Sequence, residues 1–379
     1  MPLILLSTLL HAYLAWRLLP AWSESPIGFA ALALLIVASA VLLPAGWRVH
    51  RIRSSRWAER LTWGGYLAMG LFSSLFVLSV LRDMALGLAA LAAWGWPEAL
   101  DLPAIVRISG RAVPLVAVAV TAWGFWNARR TAGVVSVDVP IAGLPPALQG
   151  FTIAQISDVH VGPTIKRNYV EAIVQAVNRL QPDMVAVTGD LVDGRVPELA
   201  PHVEPLARLA SRHGSFFVTG NHEYYAGATE WVRHLRQLGL HVLINEHVVL
   251  RHDGGHLLVG GVTDWSAHHF EAAQRSDPHA ALAGAPREAA VRVLLAHQPR
   301  SAEAAERAGF QLQLSGHTHG GQFLPWNFLV RLQQPFTAGL HRLHDLWVYT
   351  SRGTGYWGPP KRFGAPSEIT HLRLVPALS

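Results

Sequence analysis

Residues 310–322 read FQLQLSGHTHGGQ, an apolar run ending in two histidines one residue apart and wrapped in glycines. FQLQLS (310–315) has the length and bounds of a buried strand, and GHTHGGQ (316–322) begins where that strand must stop. Four other segments repeat the arrangement. FTIAQIS (151–157) leads into Asp158-Val159-His160 and MVAVT (184–188) into Gly189-Asp190. SFFVT (215–219) leads into Gly220-Asn221-His222-Glu223, and VRVLLA (291–296) into His297. Alone, an Asp or His after a strand is a turn or capping residue. Five such sites in chain order, all Asp, Asn or His, mark the carboxyl ends of strands, the edge where open α/β sheets hold their ligands.

The intervening sequence supports that sheet. In YVEAIVQAVNRL (169–180), Val170, Ile173, Val174, Val177 and Leu180 recur at helical spacing, and Pro182 ends the helix. HVLINEHVVLRHDGGHLLVGGV (241–262) reads as short strands joined at Asp253-Gly254-Gly255, a hairpin signal. Parallel β-α units with antiparallel additions are therefore expected, with no internal repeat.

Chemistry explains the residue types. Imidazole with carboxylate suits Mn, Fe, Zn, Co or Ni, whereas Mg and Ca prefer oxygen shells. A D-x-H spacing on an extended segment brings both side chains to one centre. An Asp can bridge two cations, and metals ~3.5–4 Å apart can clamp the attacking and leaving oxygens of an in-line displacement at phosphorus. The two rings of GHTHGGQ are expected to point to two different metals, with the glycines supplying positive φ values. Packed together without a metal, so many titratable groups would be costly.

SDVH (157–160), TGDLVDG (188–194), GNHEYY (220–225), LAHQP (295–299) and GHTHGGQ together resemble the calcineurin-like metallophosphoesterases in motif identity, order and rough spacing. The likeness covers about 136–373, and the tail SRGTGYWGPPKRFGAPSEIT (351–370) resembles the membrane-linked bacterial branch. No ligand position departs from the pattern. The resemblance implies a four-layer α/β/β/α sandwich with a dinuclear centre. It places Asp158, His160 and His319 on the first metal and Asn221, His297 and His317 on the second, with Asp190 bridging. It makes His222 the catalytic histidine that stabilises the transition state or protonates the leaving oxygen. A metal-bridging hydroxide would attack a phosphodiester or pyrophosphate bond.

The first 130 residues are of another kind. They carry 11 Arg against 5 Asp/Glu, while residues 131–379 carry 20 Lys/Arg against 20 Asp/Glu and 18 of the 20 histidines. The basic balance thus belongs to the first third, and nucleic-acid binding by the rest has no electrostatic support. The chain has no cysteine, which removes disulfides and Cys-based zinc sites. Apolar stretches at about 3–19, 26–46, 61–81 and 112–127 approach the ~20 residues that cross a bilayer, with Trp near their ends. The further run 84–96 reads as an extension of the third helix or as a re-entrant or interfacial piece. A cleaved signal peptide fits poorly, since no basic residue precedes the first run. The expected organisation is a helical membrane domain over 1–130, with four spans, and an α/β phosphoesterase domain over 131–379. The loop 47–60 holds five Arg against one Glu, and Arg129-Arg130 follow the fourth run. Both belong in the cytoplasm by the positive-inside rule, which puts residues 131–379 there too, on the inner (plasma) membrane. An additional crossing by 84–96 would reverse that.

Other residues carry weaker signals. Asp193 can orient a ligand or occupy a turn, and Glu223 can support His222 or the backbone. Tyr224-Tyr225 and Tyr356-Trp357 can line a pocket or pack. His268-His269, His341 and His344 read as ordinary surface or packing residues, Lys361-Arg362 as a solvated charge pair ahead of a contact with phosphate or lipid head groups, and Arg48 to Arg60 as topology determinants that contact anionic lipid rather than substrate. The expected activity is membrane-anchored hydrolysis of a phosphoester, on a lipid or nucleotide-linked lipid or on a soluble substrate such as a cyclic nucleotide, with membrane lipids as partners. A non-catalytic metal-binding scaffold is disfavoured because every ligand position is filled. A transporter is disfavoured because the runs hold only His11 and Arg82-Asp83.

Overall fold

The computed structural model describes residues 2–49, 56–96 and 100–377, so residues 50–55 of the basic loop lie outside the described residues. The chain forms two compact units: residues 1–126 with 358–361, and residues 127–357 with 362–379.

In the first unit, helices α1 (Pro2–Leu18), α2 (Pro26–Val49), α3 (Arg56–Gly95) and α4 (Leu102–Arg129) hold the apolar runs. Among the described residues these four helices are long and apolar enough to cross a membrane. Run 84–96 does not stand apart: α3 continues unbroken through Arg82-Asp83 to Gly95. Small residues bring α2 and α3 together, since a Cβ on Gly65 would lie 2.6 Å from Gly46 Cα. Leu14, Leu18, Leu32, Ile36, Leu75, Val113 and Ala117 fill the space among the four helices. Several polar side chains there find partners within the unit. Asp83 accepts from Arg17 Nη2 (2.7 Å) and from the Tyr13 hydroxyl (2.8 Å). The His11 ring sits 2.7 Å from Ser7 O and 2.9 Å from Ser39 Oγ.

The second unit contains two six-stranded sheets. The strands are β1 (Gly133–Ile141), β2 (Thr152–Ile156), β3 (Met184–Val187), β4 (Ser215–Phe217), β5 (His241–Val242), β6 (Glu246–His252), β7 (Gly255–Gly261), β8 (Val291–Leu295), β9 (Leu312–Ser315), β10 (Gly339–Leu343), β11 (Leu346–Thr350) and β12 (Glu368–Pro376). One sheet runs β1-β12-β2-β3-β4-β5 and the other β10-β11-β9-β8-β7-β6. β2, β3 and β4 pair in parallel, as do β7, β8 and β9. Both faces of these strands are covered, which is why MVAV and VRVLL read as continuous apolar runs. Ile153, Met184 and Phe216 of one sheet meet Val259, Val293 and Leu314 of the other in a shared core. Helices α5 (Arg167–Arg179), α6 (Val196–Val203), α7 (Asn221–Ala226) and α8 (Ala228–Gln237) follow strands of the first sheet, whose outer face Ile173, Val177, Leu199 and Trp231 cover. Helices α9 (Pro278–Ala281) and α10 (Ala302–Ala308) do the same for the second sheet, with Ala281 and Ala305 in its outer cluster, and α11 (Trp326–Val330) follows β9. This is the four-layer α/β/β/α sandwich the sequence led us to expect. The hairpin holds too: β6 and β7 pair antiparallel across Asp253 (φ 50°) and Gly254 (φ 89°), two positive values in succession as a type I′ turn requires.

Candidate metal centre

The carboxyl ends of β2, β3, β4, β8 and β9 deliver the sequence-predicted residues to one place. Asp158, His160 and His319 have ligand atoms within 4.8 Å of one another, and so do Asp190, His297 and His317. His317 and His319, neighbours but one in sequence, thus fall into separate groups. His160 Nε2 stands 3.0 Å from His319 Nε2, and His297 Nε2 stands 3.2 Å from His317 Nδ1. Asp190 Oδ2 lies between the groups, 3.1 Å from His297 Nε2 and 3.9 Å from His160 Nε2. Asn221, at the start of α7, is buried, and its Oδ1 has no hydrogen-bond partner among the described residues.

The backbone at this edge differs from the expectation in one respect. Asp158 (φ 53°) and His160 (φ 54°) are left-handed, so D-x-H does not converge from an extended segment. Asp190 (φ 50°), His317 (φ 69°) and His319 (φ 51°) are left-handed as well. Such conformations cost on the order of 1–3 kcal/mol each and persist only where surrounding structure over-determines them. Hydrogen bonds provide that determination. Asp158 N and His160 N donate to Gly189 O (3.0 Å) and Asp190 O (3.1 Å), which stitches the two loops together. His317 N donates to Asp158 Oδ1 (2.9 Å). Glycine is needed here for closeness: a Cβ on Gly316 would fall 2.1 Å from Asp158 Oδ2, and one on Gly220 2.2 Å from Asp190 Oδ1.

Two side chains with divided readings at the sequence level have clear partners. Asp193 Oδ1 lies 2.8 Å from His160 Nδ1 and 2.7 Å from His222 Nδ1, so it orients both rings. Glu223 does not support the His222 ring. Its carboxylate accepts from Asp190 N (3.0 Å), Leu191 N (2.7 Å) and Gly220 N (2.6 Å), holding the loop that presents Asp190. His297 Nδ1 donates to Thr188 O (2.8 Å), which leaves Nε2 facing Asp190. Tyr356 is buried and Tyr224 is tied to Gln274, whereas Tyr225 and Trp357 are partly exposed with rings 5.2 and 5.7 Å from that of His222.

The reading of Lys361-Arg362 as a solvated pair is wrong: both are buried. Arg362 Nη1 donates to His319 O (2.9 Å) and Arg352 O (2.8 Å), and Nη2 lies 3.1 Å from His319 Nδ1. Burial pushes its pKa down to about 10. A basic dipeptide before Phe-Gly carries no local mark of burial, so only the closure of 351–367 over His319 reveals this role.

Electrostatics separates the site into groups of opposite tendency. Burial opposes ionisation of Asp190, but the imidazoles of His297 and His222 outweigh it and hold the carboxyl well below its usual range. Burial likewise opposes a charge on His222, yet the Asp190 and Asp193 carboxylates push it up to about 9. Burial and the neighbouring His297 push His317 down to about 3, leaving it neutral as a metal ligand must be. Burial, with Asp190 nearby, raises Glu223 to about 7. Carboxylate and imidazole donors on opposed loops, joined by a buried amide oxygen, form a set that fits two divalent transition metals.

Residues 151–321 match the calcineurin-like phosphoesterase family, whose members use a dinuclear divalent metal centre. A transmembrane protein with metallophosphoesterase domain from Danio rerio is 38% identical over 271 residues, 69% of this chain and 62% of the relative. An uncharacterized metallophosphoesterase of Campylobacter jejuni is 36% identical over 250 residues, 65% of this chain and 64% of that one. The chain therefore spans just under two thirds of the length of these relatives. An uncharacterized metallophosphoesterase of Aquifex aeolicus is 33% identical over 219 residues, 57% of this chain and 82% of the relative. At 33% identity over more than four fifths of the Aquifex relative, and with the family's residues matched over 151–321, the chain belongs to the calcineurin-like metallophosphoesterases.

Proposed function

We propose that this protein is a membrane-anchored phosphoesterase that cleaves a phosphodiester or pyrophosphate bond, with a lipid or nucleotide-linked lipid as its substrate. The observation that carries the hydrolytic reading is the shared position of Asp190 Oδ2 between two donor groups, beside the orphaned Asn221 Oδ1. In this reading Asp158, His160 and His319 would hold one divalent cation and Asn221, His297 and His317 the other, with Asp190 available to both. Bound there, the two cations would act as Lewis acids at phosphorus and lower the pKa of water. The protein's own residues do the rest. Asp193 Oδ1 and Thr188 O accept hydrogen bonds from Nδ1 of His160 and His297, so each ring turns its Nε2 inward. Glu223 fixes the backbone of Asp190, and Arg362 anchors His319. His222, held at Nδ1 by Asp193, has Nε2 left to hydrogen-bond a phosphoryl oxygen or give a proton to the leaving group.

The membrane part of the proposal rests on the four long apolar helices and on the transmembrane name of the Danio relative. We assign residues 1–130 to a multi-pass anchor in the inner (plasma) membrane and residues 131–379 to a catalytic domain on the cytoplasmic side. An anchored active site is economical only for a substrate that is itself at the membrane, which favours the lipid class.

The test is metal content and turnover of the purified full-length chain. About two divalent ions per chain are expected, with hydrolysis of bis-p-nitrophenyl phosphate and of a vesicle-borne phospholipid or pyrophosphate-linked lipid. Asp190→Ala should lose metal and activity together. His222→Ala should keep its metal and lose on the order of 10²–10⁴ in kcat. Metal-free protein with full turnover would refute the centre, and turnover of soluble esters alone would refute the lipid substrate.

A further inference from the structure

The turn that follows GHTHGGQ carries an exposed apolar surface that the proposed chemistry does not use. Leu324, Trp326, Phe328, Leu329 and Leu332 fall within nine residues in and around α11, and all are exposed, Phe328 at 60% and Leu332 at 82%. None of them joins a core cluster of the described residues. A helix of five residues offers no i, i+4, i+7 row for a partner helix to grip, so this is a blunt apolar tip.

Its charge is one-sided. No Asp or Glu occurs between Glu306 and Asp345, whereas Arg331 lies inside the tip, exposed, and Arg342 beyond it. Large aromatic and aliphatic residues with an arginine and no acid make the composition that settles at the boundary of headgroups and acyl chains. The tip is also continuous with the candidate catalytic rim. Gln322 Nε2 donates to Trp357 O and Trp357 N donates to Gln322 Oε1, each at 2.9 Å, and the Trp357 ring faces His222 at 5.7 Å.

We propose that the Leu324–Leu332 turn is a membrane-docking element, whose apolar residues enter the surface of an anionic bilayer with Arg331 at the lipid phosphates. It would place the rim of the metal centre at the headgroup level, separately from the anchoring helices. The proposal rests on the reading above that the chain is held at a membrane, and its test separates the two.

Because the chain has no cysteine, Phe328→Cys provides a single attachment point for an environment-sensitive fluorophore, with Asp345→Cys, 98% exposed, as control. The full-length variants are reconstituted into phosphatidylcholine vesicles with and without phosphatidylglycerol, and turnover of bis-p-nitrophenyl phosphate verifies the fold. Label at 328 should shift to shorter wavelength and be quenched by doxyl-bearing lipid, more strongly with phosphatidylglycerol, while label at 345 stays in water. A 328 label that stays in water on vesicle-bound protein overturns the docking and leaves the anchor intact. A shift without quenching by lipid means that protein covers the tip, and it overturns the proposal too. Protein that fails to float with the vesicles overturns the anchor, and the docking with it.

Discussion

At the scale of the residue, the arrangement of Asp193 between two histidines has a consequence for pH dependence. His222 is raised to about 9 in the metal-free protein because the Asp190 and Asp193 carboxylates outweigh its burial. Its protonated form therefore exists below that pH and is lost as pH rises through it, and any stability it contributes is complete below ~6.5 and lost through about 9. Cations bound by Asp190 would oppose the ring's charge, so its titration should move to lower pH on metal loading. Asp193→Asn removes one of the two raising carboxylates and should lower it in either state. Histidine-selective NMR of the metal-stripped and loaded protein reads the first shift, and the alkaline limb of kcat reads the second. An alkaline limb unmoved in Asp193→Asn would deny Asp193 its part in tuning His222.

At the scale of the element, the strand ends were legible because each donor follows its own strand directly, and the apolar runs of β2, β3, β4, β8 and β9 mark themselves. What could not be read was set by distant pairing. β1 aligns Gly133 with Glu368 of β12, and neither segment signals the other. The left-handed φ of His160, His317 and His319 was hidden for the same reason: αL is the habit of Gly, Asn and Asp, and a histidine adopts it only where tertiary bonds compel it. Arg362 read as surface because its partners, His319 O and Gly355 O, are reached only when the 351–367 loop closes. Gly316 tests how tightly these loops are joined. It has no need of positive φ, but a Cβ there would stand 2.0 Å from Ser157 Oγ and 2.1 Å from Asp158 Oδ2. Gly316→Ala should therefore push β2's loop away from β9's, lowering metal content and activity together by at least tenfold while circular dichroism stays close to wild type. Full metal content in that variant would mean the loops shift more easily than their hydrogen bonds imply.

At the scale of the whole molecule, the composition divides function between two units: arginine without balancing acid in the first 130 residues, histidine in the remainder. The continuity of α3 from Arg56 to Gly95 bears on the side of the membrane that the catalytic unit occupies. A helix that crosses once, whatever its excess length, keeps the number of spans even, so α4 returns to the side from which α1 began. In the proposed four-span anchor, the arginines flanking residues 50–55 and Arg129-Arg130 would then share one face, with the α1–α2 turn on the other. A thiol introduced by Ser23→Cys should consequently react with a membrane-impermeant maleimide in intact spheroplasts, whereas Asp345→Cys should react only after lysis. The reverse pattern would put the metal centre outside, with all four spans inverted against the positive-inside rule. Reaction at both would place Ser23 and Asp345 on the same face, which four spans cannot do, and the division of the chain into anchor and cytoplasmic enzyme would have to be redrawn.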